Sequence, residues 1–117
     1  MKAKGGNCRK NLVVKDSDIR VRKTIGDSFL RTNLEEKLKS LDIANLVICG
    51  YASEFCIDNT TRRATGLGYT VQLVSDAHTP HEKKYLSAKK IREHHNLTLS
   101  MGPTMTAVQS EGINIER

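Results

Sequence analysis

Cys56 is the residue best placed to do covalent chemistry. It follows a short apolar run, 46–49, that ends at Gly50, a pattern typical of a buried strand and a tight turn. A helix is predicted to begin near Glu54 and to end at Gly68, because glycine favours the left-handed conformation at a helix end. A thiol in the first helical turn faces free N–H groups and the positive end of the helix dipole, so its thiolate form should be stabilised. The alternative is that Cys56 is an inert apolar filler, as lone cysteines commonly are.

The elements that must position this thiol alternate along the chain. Thr32 and Glu35 have the spacing of a capping box, and Leu34, Leu38 and Leu41 form one apolar stripe on a helix ending near 40–42. The other predicted elements are strands over 19–23, 45–49, 69–75 and 105–108, a loop over 76–81, a helix from Ser87 to about His95 and an irregular segment over 96–103. This alternation predicts a parallel sheet with functional residues at the carboxyl ends of its strands.

Composition favours one soluble domain. The chain has 117 residues, of which 38% are hydrophobic and 27% charged, as in a single globular domain. It contains no apolar run that could span a bilayer, and its first ten residues lack the apolar segment of a secretory signal, so we expect a cytoplasmic protein with no membrane partner. The three cysteines have neither the count of a disulfide scaffold nor zinc-type spacing, so we predict no metal or other cofactor.

The net charge of +6 is concentrated at one end. Residues 1–23 contain eight Lys or Arg and two Asp, whereas the remainder is neutral overall. A nucleic-acid-binding arm would carry aromatic residues among the basic ones, and none is present here. We therefore interpret residues 1–11 as a basic flexible leader and residues 12–117 as the folded part, and we predict no nucleic-acid partner.

Three ordered segments resemble the isochorismatase-like cysteine hydrolases. They are RKTIGDSFLRTNL (22–34), LVICGYASEFCIDNTTRRATGLGY (46–69) and VSDAHT (74–79), and the middle one is the most specific. The resemblance extends over about residues 18–108. It implies a three-layer α/β/α fold with a mostly parallel, Rossmann-type sheet.

The resemblance also implies roles for individual residues. Cys56 matches the family nucleophile, and Lys23 matches the lysine of the Asp-Lys-Cys triad. The bond between Tyr51 and Ala52 matches a cis peptide, and the backbone amides of Ala52 and Cys56 would form the oxyanion hole. A cysteine at this position places the chain nearer to the amide-hydrolysing branch, which is related to nicotinamidase and streptothricin hydrolase.

The family's first strand, which carries the catalytic aspartate, has no counterpart here. Only about twenty residues precede Lys23, whereas one βαβ unit needs about 30. We therefore expect residues 12–117 to be an N-terminally truncated, partial isochorismatase-like domain. A missing strand would expose a sheet edge, so we expect a homo-oligomer.

Other candidate residues have competing interpretations. His78 and His81 are more consistent with surface-loop histidines than with metal ligands, since no further ligand is spaced to join them. Arg62 and Arg63 could bind an anionic substrate, but a solvated face or an ion pair is the better interpretation. Phe29 could line a substrate pocket or only anchor its loop to the core.

We therefore predict a cysteine hydrolase that cleaves the C–N bond of a small-molecule amide, with reduced activity because the aspartate base is missing. The alternative is an inactive remnant that acts as an oligomerising or partner-binding module.

Overall fold

A three-stranded parallel sheet forms the centre of the computed structural model, which describes residues 13–113. The strand order is β1-β2-β3. In chain order the elements are α1 (Leu34–Ser40), β1 (Asn45–Tyr51), a π-helical turn (Ser53–Ile57), α2 (Asp58–Gly66), β2 (Thr70–Thr79), α3 (Ala88–Leu99), β3 (Met105–Val108) and a short 3₁₀ turn (Ser110–Gly112). The predicted α/β class with a parallel sheet is confirmed, and the predicted leader over 1–11 lies outside the described residues.

The core lies where α2 and α3 pack against β2 and against each other. Leu73 of β2 is completely buried there, because β2 is the central strand and has a neighbour on each side. The other members of this cluster are Phe29, Ile57, Ala64, Tyr69, Val71, Leu99 and Met105. In the described part of the chain, no helix combines the length and the apolar character that crossing a bilayer requires.

Phe29 belongs to this core. Its ring stacks on that of Tyr69, with the ring centroids 5.8 Å apart, and only 8% of its surface is exposed. This packing fits the anchoring interpretation, because a ring held among core side chains fixes its loop to the domain, while the role of Phe29 in a substrate pocket stays a prediction.

Strand β2 is longer than predicted, because it resumes its pairing with β1 after an irregularity. Ile48 pairs with Leu73, but the next pair joins Gly50 to His78, so β2 advances five residues while β1 advances two. The prediction of a loop over 76–81 was therefore wrong for 76–79. The bulged segment keeps this end of the strand in the sheet.

Helix α3 also extends beyond its predicted end at His95 and continues to Leu99. The predicted cap is confirmed, since the Ser87 hydroxyl accepts a hydrogen bond from the Lys90 amide at 3.3 Å. The additional turn forms because Leu99 is buried in the core, which outweighs the weak helical pattern of 96–99.

Two local predictions in the N-terminal half were wrong. Residues 19–23 form no strand, and only Arg22 makes an isolated bridge. The Thr32–Glu35 capping box is absent: the Thr32 hydroxyl accepts from the Leu34 amide at 3.3 Å and donates to the Ser28 carbonyl at 2.6 Å. The competing contact with Ser28 ties Thr32 to the preceding loop, and α1 begins one residue later than a cap at Thr32 would place it.

Gly68 ends α2 as predicted. Its φ is +99°, its amide donates to the Thr65 carbonyl at 3.1 Å, and the Tyr69 amide donates to the Ala64 carbonyl at 3.0 Å, which is the Schellman arrangement. We expect Gly68→Ala to lower the free energy of unfolding by about 1 kcal/mol in urea titrations, because alanine disfavours positive φ.

Gly66→Ala is the matched control for this prediction. Gly66 is helical, and a Cβ there would meet nothing within 4 Å. Its replacement should leave stability unchanged or raise it by up to about 1 kcal/mol. Equal effects of the two substitutions would contradict the conformational explanation.

Candidate active site

Cys56 lies in the turn that connects β1 to α2, at the carboxyl end of the strand. It is the fourth residue of the π-helical turn Ser53–Ile57, and its side chain is partly exposed, so the thiol is not sealed in the core. The peptide bond between Tyr51 and Ala52 is cis, the geometry that the resemblance implies. Cys49, on β1, is exposed and provides an internal comparison for thiol reactivity.

Hydrogen bonds to the Ala52 carbonyl fix the backbone of this turn. Its carbonyl at Ala52 accepts from the amides of Phe55 and Ile57, both at 3.0 Å. The resemblance assigns the N–H groups of Ala52 and Cys56 to an oxyanion site, which requires backbone donors beside the nucleophile.

The loop that carries Lys23 is fastened to the helix that follows Cys56. The Lys23 ammonium donates to the Gly26 carbonyl at 2.9 Å. Thr60 of α2 holds this loop through Ser28, whose amide donates to the Thr60 hydroxyl at 3.0 Å, while that hydroxyl lies 2.9 Å from the Ser28 Oγ. No hydrogen bond joins Lys23 to Cys56 among the described residues, so the structure fixes the two segments relative to each other without showing direct contact of the two groups.

His78 lies beneath the turn and is completely buried, contrary to the expectation of a surface-loop histidine. Its Nδ1 is 2.6 Å from the Ser53 Oγ, and its Nε2 is 2.6 Å from the Asn96 Oδ1. It reaches this position because the irregularity in β2 places it opposite Gly50.

Burial lowers the pKa of His78 below its ordinary value of 6.5. The hydrogen bond to Asn96 opposes this effect, whereas the positive charge of Arg92 and the nearby His95 lower the pKa further. The imidazole is therefore neutral in the folded protein near neutral pH.

This shift predicts acid sensitivity. An unfolded histidine binds a proton below about pH 6.5, whereas folded His78 does so only at lower pH, so the stabilisation is complete above that value and is lost as the pH falls below it. We expect the free energy of unfolding to fall between about pH 7 and pH 5, with a shallower fall in His78→Gln. Urea titrations across this pH range measure the difference. If the free energy of unfolding falls with pH equally steeply in the two proteins, His78 is not the cause of the acid sensitivity.

The carboxylate of Glu54, in the turn, is engaged through its Oε2 atom. Glu54 accepts from the Lys83 ammonium at 2.9 Å and from the His81 amide at 3.1 Å. Burial alone would raise the pKa of Glu54, but these hydrogen bonds and the Lys83 charge outweigh burial and hold the pKa below its usual value. His81 is exposed and its ring contacts the Tyr51 hydroxyl.

The arginines of α2 form ion pairs, as predicted in preference to binding of an anionic substrate. Arg62 pairs with Asp58, and Arg63 lies 3.1 Å from Asp27 of the Lys23 loop. Within residues 13–113, no three His, Cys, Asp or Glu side chains are grouped so that they could hold a metal ion.

Comparison with known proteins identifies the family of the chain. The model of the isochorismatase domain matches residues 2–108, which is most of the chain. The chain belongs to the isochorismatase family.

Curated isochorismatase-family relatives match only part of their own length. An uncharacterized isochorismatase family protein of Bacillus subtilis, YrdC, is 42% identical over 62 residues, which is 53% of this chain and 33% of that protein. A streptothricin hydrolase of Streptomyces noursei is 40% identical over 62 residues, or 53% of this chain and 22% of that protein. The chain thus spans a third or less of these two relatives.

Solved structures confirm the isochorismatase-like fold. One isochorismatase family protein has a TM-score of 0.79 and 32% identity, with 86% of this chain and 60% of that chain covered. A cysteine hydrolase of Pseudomonas syringae has a TM-score of 0.82 and covers 88% of this chain and 50% of that one; at 20% identity it shows the fold alone.

Within this candidate site, sequence reasoning missed Ser53 and Asn96 and interpreted His78 as a surface-loop histidine. The available signal for His78 was its position at the carboxyl end of a predicted strand in a parallel sheet, where functional residues gather. Asn96 gave no comparable signal, because it was assigned to an irregular segment.

Proposed function

We propose that the chain carries the nucleophilic part of a cysteine hydrolase that acts on a small-molecule amide. The single observation that supports this most is the position of Cys56, which is partly exposed and lies in the turn between β1 and α2. Membership of the isochorismatase family and similarity to a streptothricin hydrolase support the reaction class.

In the proposed reaction, the Cys56 thiolate attacks the carbonyl carbon and forms a C–S bond. The oxyanion is stabilised by the Ala52 and Cys56 amides, and the ammonium of Lys23 favours the thiolate. The C–N bond then breaks, the leaving nitrogen takes up a proton, and water cleaves the thioester to release the carboxylic acid and the free thiol.

Proton supply limits the first half of this reaction. In residues 13–113, no hydrogen bond or ion pair connects a carboxylate to Cys56, and Glu54, Asp58 and Asp27 are engaged with Lys83, Arg62 and Arg63. A missing general acid costs about 10²–10⁴-fold in rate. We therefore propose slow turnover of amides but efficient attack on esters whose leaving group needs no proton.

A burst experiment with p-nitrophenyl acetate tests this proposal. We expect a burst of nitrophenolate equal to the protein concentration and an acyl adduct mapped to Cys56, together with slow release of amine from small amides. Alkylation by iodoacetamide should be at least about 10-fold faster at Cys56 than at exposed Cys49. Reaction at Cys56 no faster than at free cysteine would refute the proposal.

The exposed edge of the sheet supports a second candidate, an oligomerising module. Among the described strands, β1 pairs only with β2, and its sequence NLVICGY contains neither charge nor proline to discourage further pairing. Val47 is 41% exposed. We propose that β1 pairs antiparallel with β1 of a second copy across a two-fold axis, because identical strands can meet in this self-complementary way.

Mass measurement in solution tests this pairing. We expect a dimer that dissociates in Val47→Lys, since lysine protects an edge strand, whereas Leu97→Lys, at an exposed position on α3, should leave it intact. A monomeric unmodified chain would refute the candidate.

A further inference from the structure

A buried chain of hydrogen bonds connects the turn to β2 and α3. Asn96 Oδ1 can only accept, so His78 Nε2 carries the proton and donates to it at 2.6 Å. The unprotonated Nδ1 then accepts from the Ser53 hydroxyl at 2.6 Å. The Asn96 amide donates onward to the Ser75 carbonyl at 3.1 Å, which sets the orientation of the Asn96 side chain.

The order Ser53, His78, Asn96 resembles that of a catalytic triad made of a nucleophile, a histidine and an amide. Burial excludes a catalytic role for Ser53 as the nucleophile. Ser53 and His78 have no exposed surface, so neither can touch a substrate from this position. The chemistry therefore cannot start at Ser53, and the network needs another explanation.

We propose that His78 is a positioning residue that holds the Ala52–Cys56 turn in its reactive conformation. Ser53 directly follows Ala52 and precedes Cys56 by three residues, so a fixed Ser53 restricts both proposed oxyanion amides. The expected effect of His78 on the reactivity of Cys56 rests on the proposed function. In this inference His78 orients the groups that do the chemistry and does not itself react.

The three connected elements show how the restriction works. His78 is held opposite Gly50 by the sheet, and Asn96 is held on α3 through the Ser75 carbonyl of β2. The imidazole therefore has a fixed position and a fixed tautomer before it meets Ser53. A displacement of about 1 Å at a reacting centre can cost on the order of 10²-fold in rate, so loss of this support should be measurable at Cys56.

Variants that interrupt this series of hydrogen bonds at different points provide the test. His78→Leu removes both hydrogen bonds, Ser53→Ala removes the donor, and His78→Asn retains an acceptor near Nδ1. His94→Leu is the matched control, because it makes the same change on the exposed side of α3. The measurements are the alkylation rate of Cys56 at alkaline pH, where the thiol is fully ionised, and hydrogen exchange of the amides of residues 52–57.

We expect the alkylation rate of Cys56 at alkaline pH to be about 10-fold lower in His78→Leu and in Ser53→Ala. The double variant should show no further loss, because both changes break the same series of hydrogen bonds. His78→Asn should recover part of the rate, and His94→Leu should match the unmodified protein. Turn amides should exchange faster in the first two variants. A purely structural histidine would lower the unfolding temperature without changing the alkaline rate of the folded protein.

The outcomes separate this inference from the proposed function. If Cys56 of the unmodified chain reacts rapidly, and folded His78→Leu and Ser53→Ala retain its rate and its amide exchange, the positioning role is refuted. If the unmodified Cys56 reacts no faster than free cysteine, the proposed function fails, and hydrogen exchange alone decides: faster exchange of the turn amides supports positioning, and unchanged exchange refutes it. If His78→Leu does not fold, Ser53→Ala decides.

Discussion

Replacement of Cys56 by serine is expected to abolish the nitrophenolate burst and the mapped adduct. A serine hydroxyl without a dedicated base is a poor nucleophile at neutral pH, whereas a thiol is intrinsically a much stronger one. The loss should be at least about 10³-fold, because no alternative covalent route remains at this turn. Stability should change little, since the side chain is partly exposed and the substitution is nearly isosteric.

Cys49→Ser is the control for this substitution. Cys49 is exposed on β1, seven residues earlier in the chain, and the proposed reaction assigns it no role. The burst should be retained in Cys49→Ser and lost in Cys56→Ser. A burst that follows Cys49 would move the reactive thiol to the sheet edge and refute the assignment of Cys56.

The second large effect is expected for Lys23→Met. Methionine retains much of the aliphatic volume but removes the ammonium, so the thiolate of Cys56 loses the positive charge that the family resemblance assigns to its surroundings. We expect a roughly 10- to 100-fold lower rate near pH 7 in the pH profile of alkylation, because an ammonium beside a thiol favours the reactive thiolate.

The alkaline limit of the same profile separates charge from structure. At high pH the thiol is ionised in both proteins, so the rates of Lys23→Met and of the unmodified chain should converge. Lys15→Met, at an exposed lysine of the same N-terminal segment, should leave the whole profile unchanged. Lys23→Met with the unmodified profile would show that its hydrogen bond to Gly26 is its only role.

Local signals in the sequence were sufficient for several elements. The glycine at 68 ends α2 because its backbone adopts positive φ, Ser87 caps α3, and Met105–Val108 forms the last strand, as predicted. Each of these features depends on the residue itself or on its immediate neighbours. The parallel arrangement was also accessible, because alternating strands and helices leave few other topologies.

The elements that sequence missed depend on distant partners. The second half of β2 is extended because it pairs with the end of β1, and 96–99 are helical because Leu99 reaches the core. The alternation at 19–23 looked like a strand, yet it makes only an isolated bridge. A residue's own propensity cannot report such tertiary effects.

The residues of the candidate site also fall into those that the sequence indicated and those that only the structure shows. Cys56 comes from the local strand–turn–helix pattern, whereas Lys23 and the two amides come from the family resemblance, and all their roles stay predictions until the experiments above are done. The supporting group of Ser53, His78 and Asn96 comes from the structure, because 25 and 18 residues separate the partners of its two hydrogen bonds. No short sequence window contains all three residues.

The irregular pairing of β2 makes the length of the segment between Leu73 and His78 a determinant of what lies under the turn. Deleting one residue there would bring Thr79 into the place opposite Gly50, and inserting one would bring Ala77 there. Neither side chain can both accept from Ser53 and donate to Asn96 across the distance that an imidazole bridges. Comparisons among homologous chains should therefore count residues in this segment before they equate histidines, since a gap placed one position away assigns the buried imidazole to the wrong residue.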